Sequence, residues 1–181
     1  CWCRYNVDIP NTNFTTFTNS STSAWSGYYN NAINEPAANE GRLYQWSAAM
    51  QGSILERSQG VCPAGFHIPS DCEWMYLEGV LGMSVTEMQQ SFFRNSGTVG
   101  SNLSLFSGSA NNDSGFTSLL TGNRDSAATY FNRNISAYWW TSSQTSALNS
   151  VHRGLDNANV GISRNPNITK AQAFCVRCLK D

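Results

Sequence analysis

Lysine is nearly missing from this chain of 181 residues: Lys170 and Lys180 stand beside nine arginines. Charged residues make up 13% of the whole, about half the usual quarter. Net charge is −1 and the pI is about 6.1. Without a basic excess the chain lacks the electrostatic footprint of nucleic-acid binding and of binding to anionic membranes. No apolar run approaches the roughly 18 residues that mark a spanning helix, so no membrane insertion is expected within these residues. Histidine is limited to His67 and His152. Phosphate loops, dinucleotide fingerprints and internal repeats are all missing, and no cofactor is expected.

What fills the space is uncharged polarity. There are 24 Ser, 20 Asn and 13 Thr, 57 residues in all. A hydrophobic share of 40% with 12% aromatics excludes global disorder. The length suits one domain with its own core. Six cysteines, Cys1, Cys3, Cys62, Cys72, Cys175 and Cys178, form an even set. With so little lysine they point to an oxidising compartment, hence an extracellular or cell-surface location. Cys1-Trp2-Cys3-Arg4-Tyr5 reads as a strand rather than the flexible tether of a lipidated cysteine. Residues 1–181 are therefore expected to be one domain at the C-terminal end of a longer chain.

The pattern along the chain is helices first and strands last, which indicates α+β. Residues 10–39 are polar, but Phe14, Phe17, Trp25, Tyr28 and Tyr29 imply that the stretch packs on something. Leu43, Trp46, Ala49 and Met50 share a helical face, predicting a helix from Glu40 to about Gly52. Residues 62–69 hold two prolines and a glycine and must be extended. Ser70 and Glu73 have capping-box spacing, opening a helix with Trp74, Leu77 and Leu81 on one face and an end at Gly82. Ser84 and Glu87 repeat the spacing, predicting a second helix through Met88 to Phe92. Glu56, Glu78 and Glu87 read as solvated helix faces. Residues 95–125 read mostly as loop. Strand-like runs follow at 138–141, 150–155, 160–163 and 174–178, parted by turn signals at Asp156-Asn157 and Asn165-Pro166-Asn167.

Several segments together resemble the FISUMP domain (Fibrobacter succinogenes major paralogous domain). They are Gly41-Arg42-Leu43-Tyr44-Gln45-Trp46, then Cys62-Pro63-Ala64-Gly65-Phe66-His67-Ile68-Pro69-Ser70-Asp71 with Glu73-Trp74 behind it. Tyr138-Trp139-Trp140-Thr141-Ser142-Ser143, the strand of His152-Arg153 and the terminal Phe174-Cys175-Val176-Arg177-Cys178 complete the set, in order over essentially the whole chain. That family is similar to formylglycine-generating domains and through them to the C-type lectin fold. The resemblance implies a C-type lectin-like domain with two or three short helices, a small twisted antiparallel sheet, long loops and disulfides. It also implies that the first and last strands pair, and that the role is binding or adhesion at a bacterial surface.

Six cysteines allow fifteen connectivities, and sequence does not choose among them. Cys1 and Cys3, two apart on one strand, make a poor pair. Cys175 and Cys178 face opposite sides of a strand and need different partners. The resemblance implies Cys62–Cys178, the family's common pair, leaving Cys1 and Cys3 to divide Cys175 and Cys72. Zinc on Cys-x-Cys and Cys-x-x-Cys is the rival, disfavoured because a strand lacks the knuckle turn of such sites. No metal is expected.

Enzyme chemistry finds little support. Formylglycine generation needs copper-binding cysteines in a cleft, and Cys62, Cys175 and Cys178 lie in other segments. His67, between Phe66 and Ile68-Pro69, reads as structural, and His152 as a solvated strand residue. No close pair of acids suggests a glycosidase. Asn111-Asn112-Asp113, Asp125 and Asp156-Asn157 have calcium-compatible chemistry, though turn residues bonding their own backbone account for them better. The binding candidates are Trp139, Asn149, His152, Arg153, Asp156, Asn157, Asn159, Arg164 and Asn165, amides and guanidiniums beside an aromatic that suit sugar hydroxyls or peptide groups. The expected function is a non-enzymatic surface module that binds a glycan or protein ligand. The alternative is a filament subunit, pilin-like or sheath-like, that self-assembles.

Overall fold

A computed structural model of the chain describes residues 1–9, 25–95, 98–106 and 111–181. Its strands and helices, in order, are β1 (Ser26–Gly27), β2 (Leu43–Gln45), α1 (Trp46–Ala49), β3 (Phe66–His67), α2 (Asp71–Val80), α3 (Val85–Met88), β4 (Phe92–Arg94), α4 (Val99–Leu103), β5 (Thr121–Arg124), β6 (Tyr130–Arg133), β7 (Ser136–Gln144), β8 (Asn149–Asp156), β9 (Ile162–Thr169), β10 (Ala173–Phe174) and β11 (Leu179–Lys180). The α+β expectation holds, with sheet dominant. The main sheet runs β1-β2-β10-β5-β7-β8-β9-β4 with β6 beside β5, and β11 pairs with β3 separately. It is larger than the small antiparallel sheet expected, and β5 meets β7 in parallel.

Local chemistry starts the helices as the sequence predicts. Ser70 Oγ accepts from the Glu73 amide while the Glu73 carboxylate accepts from the Ser70 amide, a reciprocal cap on α2. Ser84 Oγ accepts from the Glu87 amide at α3. Elsewhere long-range pairing overrides local spacing. Leu43–Gln45, expected in a helix, is a strand held between β1 and β10. Only Trp46–Ala49 coils. Phe92, expected in the second helix, opens β4 with a φ of 68°. The predicted turn at 165–167 lies inside β9. Pro166 is tolerated there because it lies in the bulge of β9, where Pro166 and Asn167 together oppose Val151, and β4 pairs only as far as Arg164. Within 95–125, α4 and β5 replace part of the expected loop. Phe14 and Phe17 lie outside the described residues, whereas Trp25 and Tyr29 pack into the core.

The two ends of the domain close on each other. Trp2 bridges Leu179, the Cys3 amide donates to the Cys178 carbonyl at 2.8 Å, and the Lys180 amide donates to the Cys1 carbonyl at 2.8 Å. Behind this seam Arg177 is fully buried. It donates to Asn6 Oδ1 and to the Cys3 and Arg4 carbonyls, and stacks 4.0 Å from the Phe116 ring centre.

One disulfide forms, Cys62–Cys178, in place of the three expected. Cys1, Cys3, Cys72 and Cys175 are free thiols. The register explains why Cys3 does not meet Cys175. Cys3 stands opposite Cys178, so Cys175 lies three residues further along, roughly 10 Å away and beyond disulfide reach. Cys175 is instead sealed in the core against Thr121 Oγ1 at 3.2 Å, and burial pushes its thiol up to about 12. Cys72 is exposed at the start of α2.

Candidate functional site

Side chains alternate across β7 and β8, so each strand supplies both faces of the sheet. Ala137, Trp139 and Leu155 face α2 and pack with Trp74 and Phe116. Trp139 lies 5.9 Å from Trp74 and 5.5 Å from Phe116, with its indole N–H donated to Asn6 Oδ1 at 2.9 Å. Trp140, on the opposite face, donates its indole N–H to the Tyr44 carbonyl at 2.7 Å. Both tryptophans are fully buried because both faces of β7 are covered there. Trp139 is therefore a core residue, not a ligand contact.

Between α2 and the sheet lies a buried ionic cluster that the sequence did not announce. Glu78, expected on a solvated face, is fully buried and takes Arg94 through two bonds of 2.7 Å and Arg153 Nε at 2.6 Å. Asp71 accepts from Arg153 Nη1 at 2.7 Å and from Arg164 Nη2 at 2.5 Å. Burial alone would raise the Asp71 carboxyl, but hydrogen bonds from Arg164 and Arg153 and their charges outweigh it and hold the group below its ordinary range. Arg153 and Arg164, candidates for ligand contact, are committed here, pinning β8 and β9 to α2. Burying so many charges requires this mutual pairing. Glu87 is buried as well.

The remaining candidates divide. Asp156 Oδ1 accepts from the Ala158 and Asn159 amides, closing the turn after β8 and holding Asn159 Nδ2 as well. Asn157 donates to the Asn134 carbonyl. Asn149 sits at the other end of β8, where its carbonyl accepts from Thr145 and Ser146. Asp125 and Asp113 likewise bond within their own loops. Among the described residues no three His, Cys, Asp or Glu side chains stand close enough to hold a metal ion. None of the described helices is long and apolar enough to cross a membrane.

Of the candidates, His152 and Asn165, cross-strand partners, line a cleft. The cleft is about 360 Å³ and lies on the face of the sheet turned away from α2, within the size range of small-ligand sites. Register builds it. Tyr138, Gly154, Ser163 and Phe93 stand in one cross-strand row, and Trp140, His152 and Asn165 in the next. Gly154 matters because a Cβ there would come within 3.0 Å of the Tyr138 ring, which lies over it. Phe92 and Phe93 form one rim and are exposed. Asn123, Asn132 and Gln172 supply carboxamides from β5, β6 and the approach to β10. The Asn132 Nδ2 donates to Asn123 Oδ1 at 3.3 Å and to the Tyr138 hydroxyl at 3.4 Å. The described lining contains no carboxylate, ammonium or guanidinium.

His152, expected to be solvated, forms part of the floor and is 5% exposed. Burial, with the Arg153 charge beside it, pushes its pKa down to about 3, so the ring is neutral. His67 is buried, and its two ring nitrogens meet Asp181 Oδ1 at 2.6 Å and Glu73 Oε1 at 3.1 Å.

Fold and cleft together define the class: a sheet-dominated α+β domain, closed end to end, with a neutral cleft of amides and aromatics on the open sheet face. The chain matches the model of the Fibrobacter succinogenes major domain over residues 1–180 and belongs to that family. No curated protein and no solved structure matches it.

Proposed function

We propose that the chain is a non-enzymatic, extracellular binding module that holds a glycan or protein ligand in the sheet-face cleft, in the manner of an adhesion domain. The observation that carries this reading is the lining, in which aromatic faces and carboxamides converge around an almost enclosed neutral histidine. Planar amides with rigid rings give directional bonds and contact area without charge. A histidine titrating near 3 is a poor base at neutral pH. The Cys62–Cys178 bond supports export to an oxidising compartment. The bridge from Trp2 to Leu179 on the last strand, which closes the N-terminal segment on β11, supports a C-type lectin-like arrangement.

A self-assembling surface subunit is the second reading. It draws on the apolar stripe of Tyr76, Val80 and Val85, which are 76%, 67% and 69% exposed. Sedimentation velocity of the full chain separates the two, since a filament subunit would associate with concentration.

The test of the binding reading is a broad glycan array beside a displayed peptide library. Phe93→Ala, at the rim, is expected to weaken the hits roughly 3–10-fold, the worth of one aromatic contact. Hits untouched by that change, or no hit on either surface, would remove the cleft from consideration.

A further inference from the structure

One polar atom in the cleft has no partner among the described residues. The His152 Nδ1 is shielded from solvent and has no hydrogen-bond partner. The ring packs in a three-ring cluster with Phe174 at 4.9 Å and Tyr138 at 5.7 Å, so it has little freedom to seek one. Leaving such a group unpaired costs about 1–3 kcal/mol, and native structures rarely carry one without a reason.

The surroundings narrow what would satisfy it. A neutral imidazole has one donor and one acceptor, and Asn165, Ser163 and Gln172 beside it each offer both as well. A hydroxyl matches every one of these groups in either sense, and a pyranose presents several around one ring. The apolar face of that ring suits Tyr138 and Phe93. An anionic ligand would want a guanidinium, but Arg153 and Arg164 are on the far face of the sheet, bound to Glu78 and Asp71. An extended peptide binds best along an unpaired strand edge. This cleft lies instead on a sheet face whose backbone groups already pair between β7, β8 and β9.

We infer that the cleft is a subsite for a neutral saccharide, in which a sugar hydroxyl bonds to His152 and the sugar ring rests against Tyr138 and Phe93. This rests on the binding-module reading and names its ligand class.

The experiment uses the full 181-residue chain. Uncharged hexasaccharides of glucose, mannose, xylose and N-acetylglucosamine are titrated in, with hexagalacturonate and a Ser/Asn-rich peptide as contrasts. Binding is followed by calorimetry and by the ring 15N resonances of His152. At least one neutral sugar should bind and move those resonances. Its affinity should stay within about twofold between about pH 5 and 8 and from roughly 50 to 500 mM salt, because no charged pair is involved. Asn165→Ala should weaken it about 3–10-fold, the worth of one hydrogen bond. This half-buried position keeps the test usable even if a His152 variant fails to fold. Binding of only the acidic sugar or the peptide at the cleft overturns the saccharide inference and leaves the binding module standing. Sugar binding that leaves the His152 resonances unmoved overturns it too. No binding by any probe overturns both.

Discussion

His152 ties the acid stability of the domain to one ring. Its folded pKa of about 3 lies below the ordinary 6.5. Between those values the unfolded chain holds a proton that the folded chain does not. Its contribution is therefore complete above about pH 6.5 and is lost as pH falls toward 3. Urea midpoints at neutral pH and near pH 4.5 should show the wild type losing up to about 3 kcal/mol. His152→Gln should flatten that slope, and an unchanged slope would place the acid sensitivity elsewhere. Asp71 acts in the same direction but lower, because its carboxyl is held below 3.8. At this scale the sequence was only half readable. Glu78 falls four residues after Trp74, on the apolar face of α2, and that position was the signal of a buried acid. Its partners Arg94 and Arg153 are 16 and 75 residues away, so the pairing itself had no local trace.

At the scale of elements, short-range chemistry was legible and long-range pairing was not. Both Ser-x-x-Glu caps act over three residues and were readable as written. β2 was hidden because Leu43, Trp46, Ala49 and Met50 satisfy a helical period, while the strand is dictated by partners such as Ala173 and Phe174. The cleft was obscured for the same reason. Alternation along β7 places Tyr138 and Trp140 together, but which residues of β8, β9 and β4 join them depends on registers that no single segment encodes. Two left-handed glycines test how tightly β5 is fitted. Gly122 has a φ of 70°, and a Cβ there would lie 2.3 Å from the Phe131 carbonyl oxygen. Gly115 has a φ of 68° with nothing within 4 Å. Gly115→Ala should cost about 1–2 kcal/mol, the left-handed penalty alone. Gly122→Ala should cost clearly more, because β6 must move. Equal losses of thermal stability in the two variants would mean that the β5–β6 pairing yields easily.

For the whole molecule, the cysteine pattern gives the sharpest check. The bond between Cys62 and Cys178 closes a loop with a sequence separation of 116, worth about 4–5 kcal/mol in the chain-entropy model. Intact mass should show two hydrogens fewer than the reduced chain, not six. Alkylation of the folded protein should label exposed Cys1 and Cys72 first and half-buried Cys3 later. Cys175 should react only after unfolding, since it is enclosed and its thiol is pushed up to about 12. Early labelling of Cys175 would contradict the packed seam between β10 and β5. The order of segments along the chain carried the family and the Cys62–Cys178 pair. The separation of Cys3 from Cys175 depended on a seam register that the order alone does not contain.

That bond also determines how the domain bears force. Cys1 and Lys180 are hydrogen-bonded neighbours, so tension through the two ends opens the seam across its ladder, one bond at a time. Beyond it the load runs along residues 1–62, crosses the sulfur bridge and leaves through 178–181. The backbone between 63 and 177 is bypassed until the bridge is cut. Every residue lining the cleft, from Phe92 to Phe174, lies within that bypassed stretch. The cleft is thus held on a covalently slack loop while the terminal segments stretch.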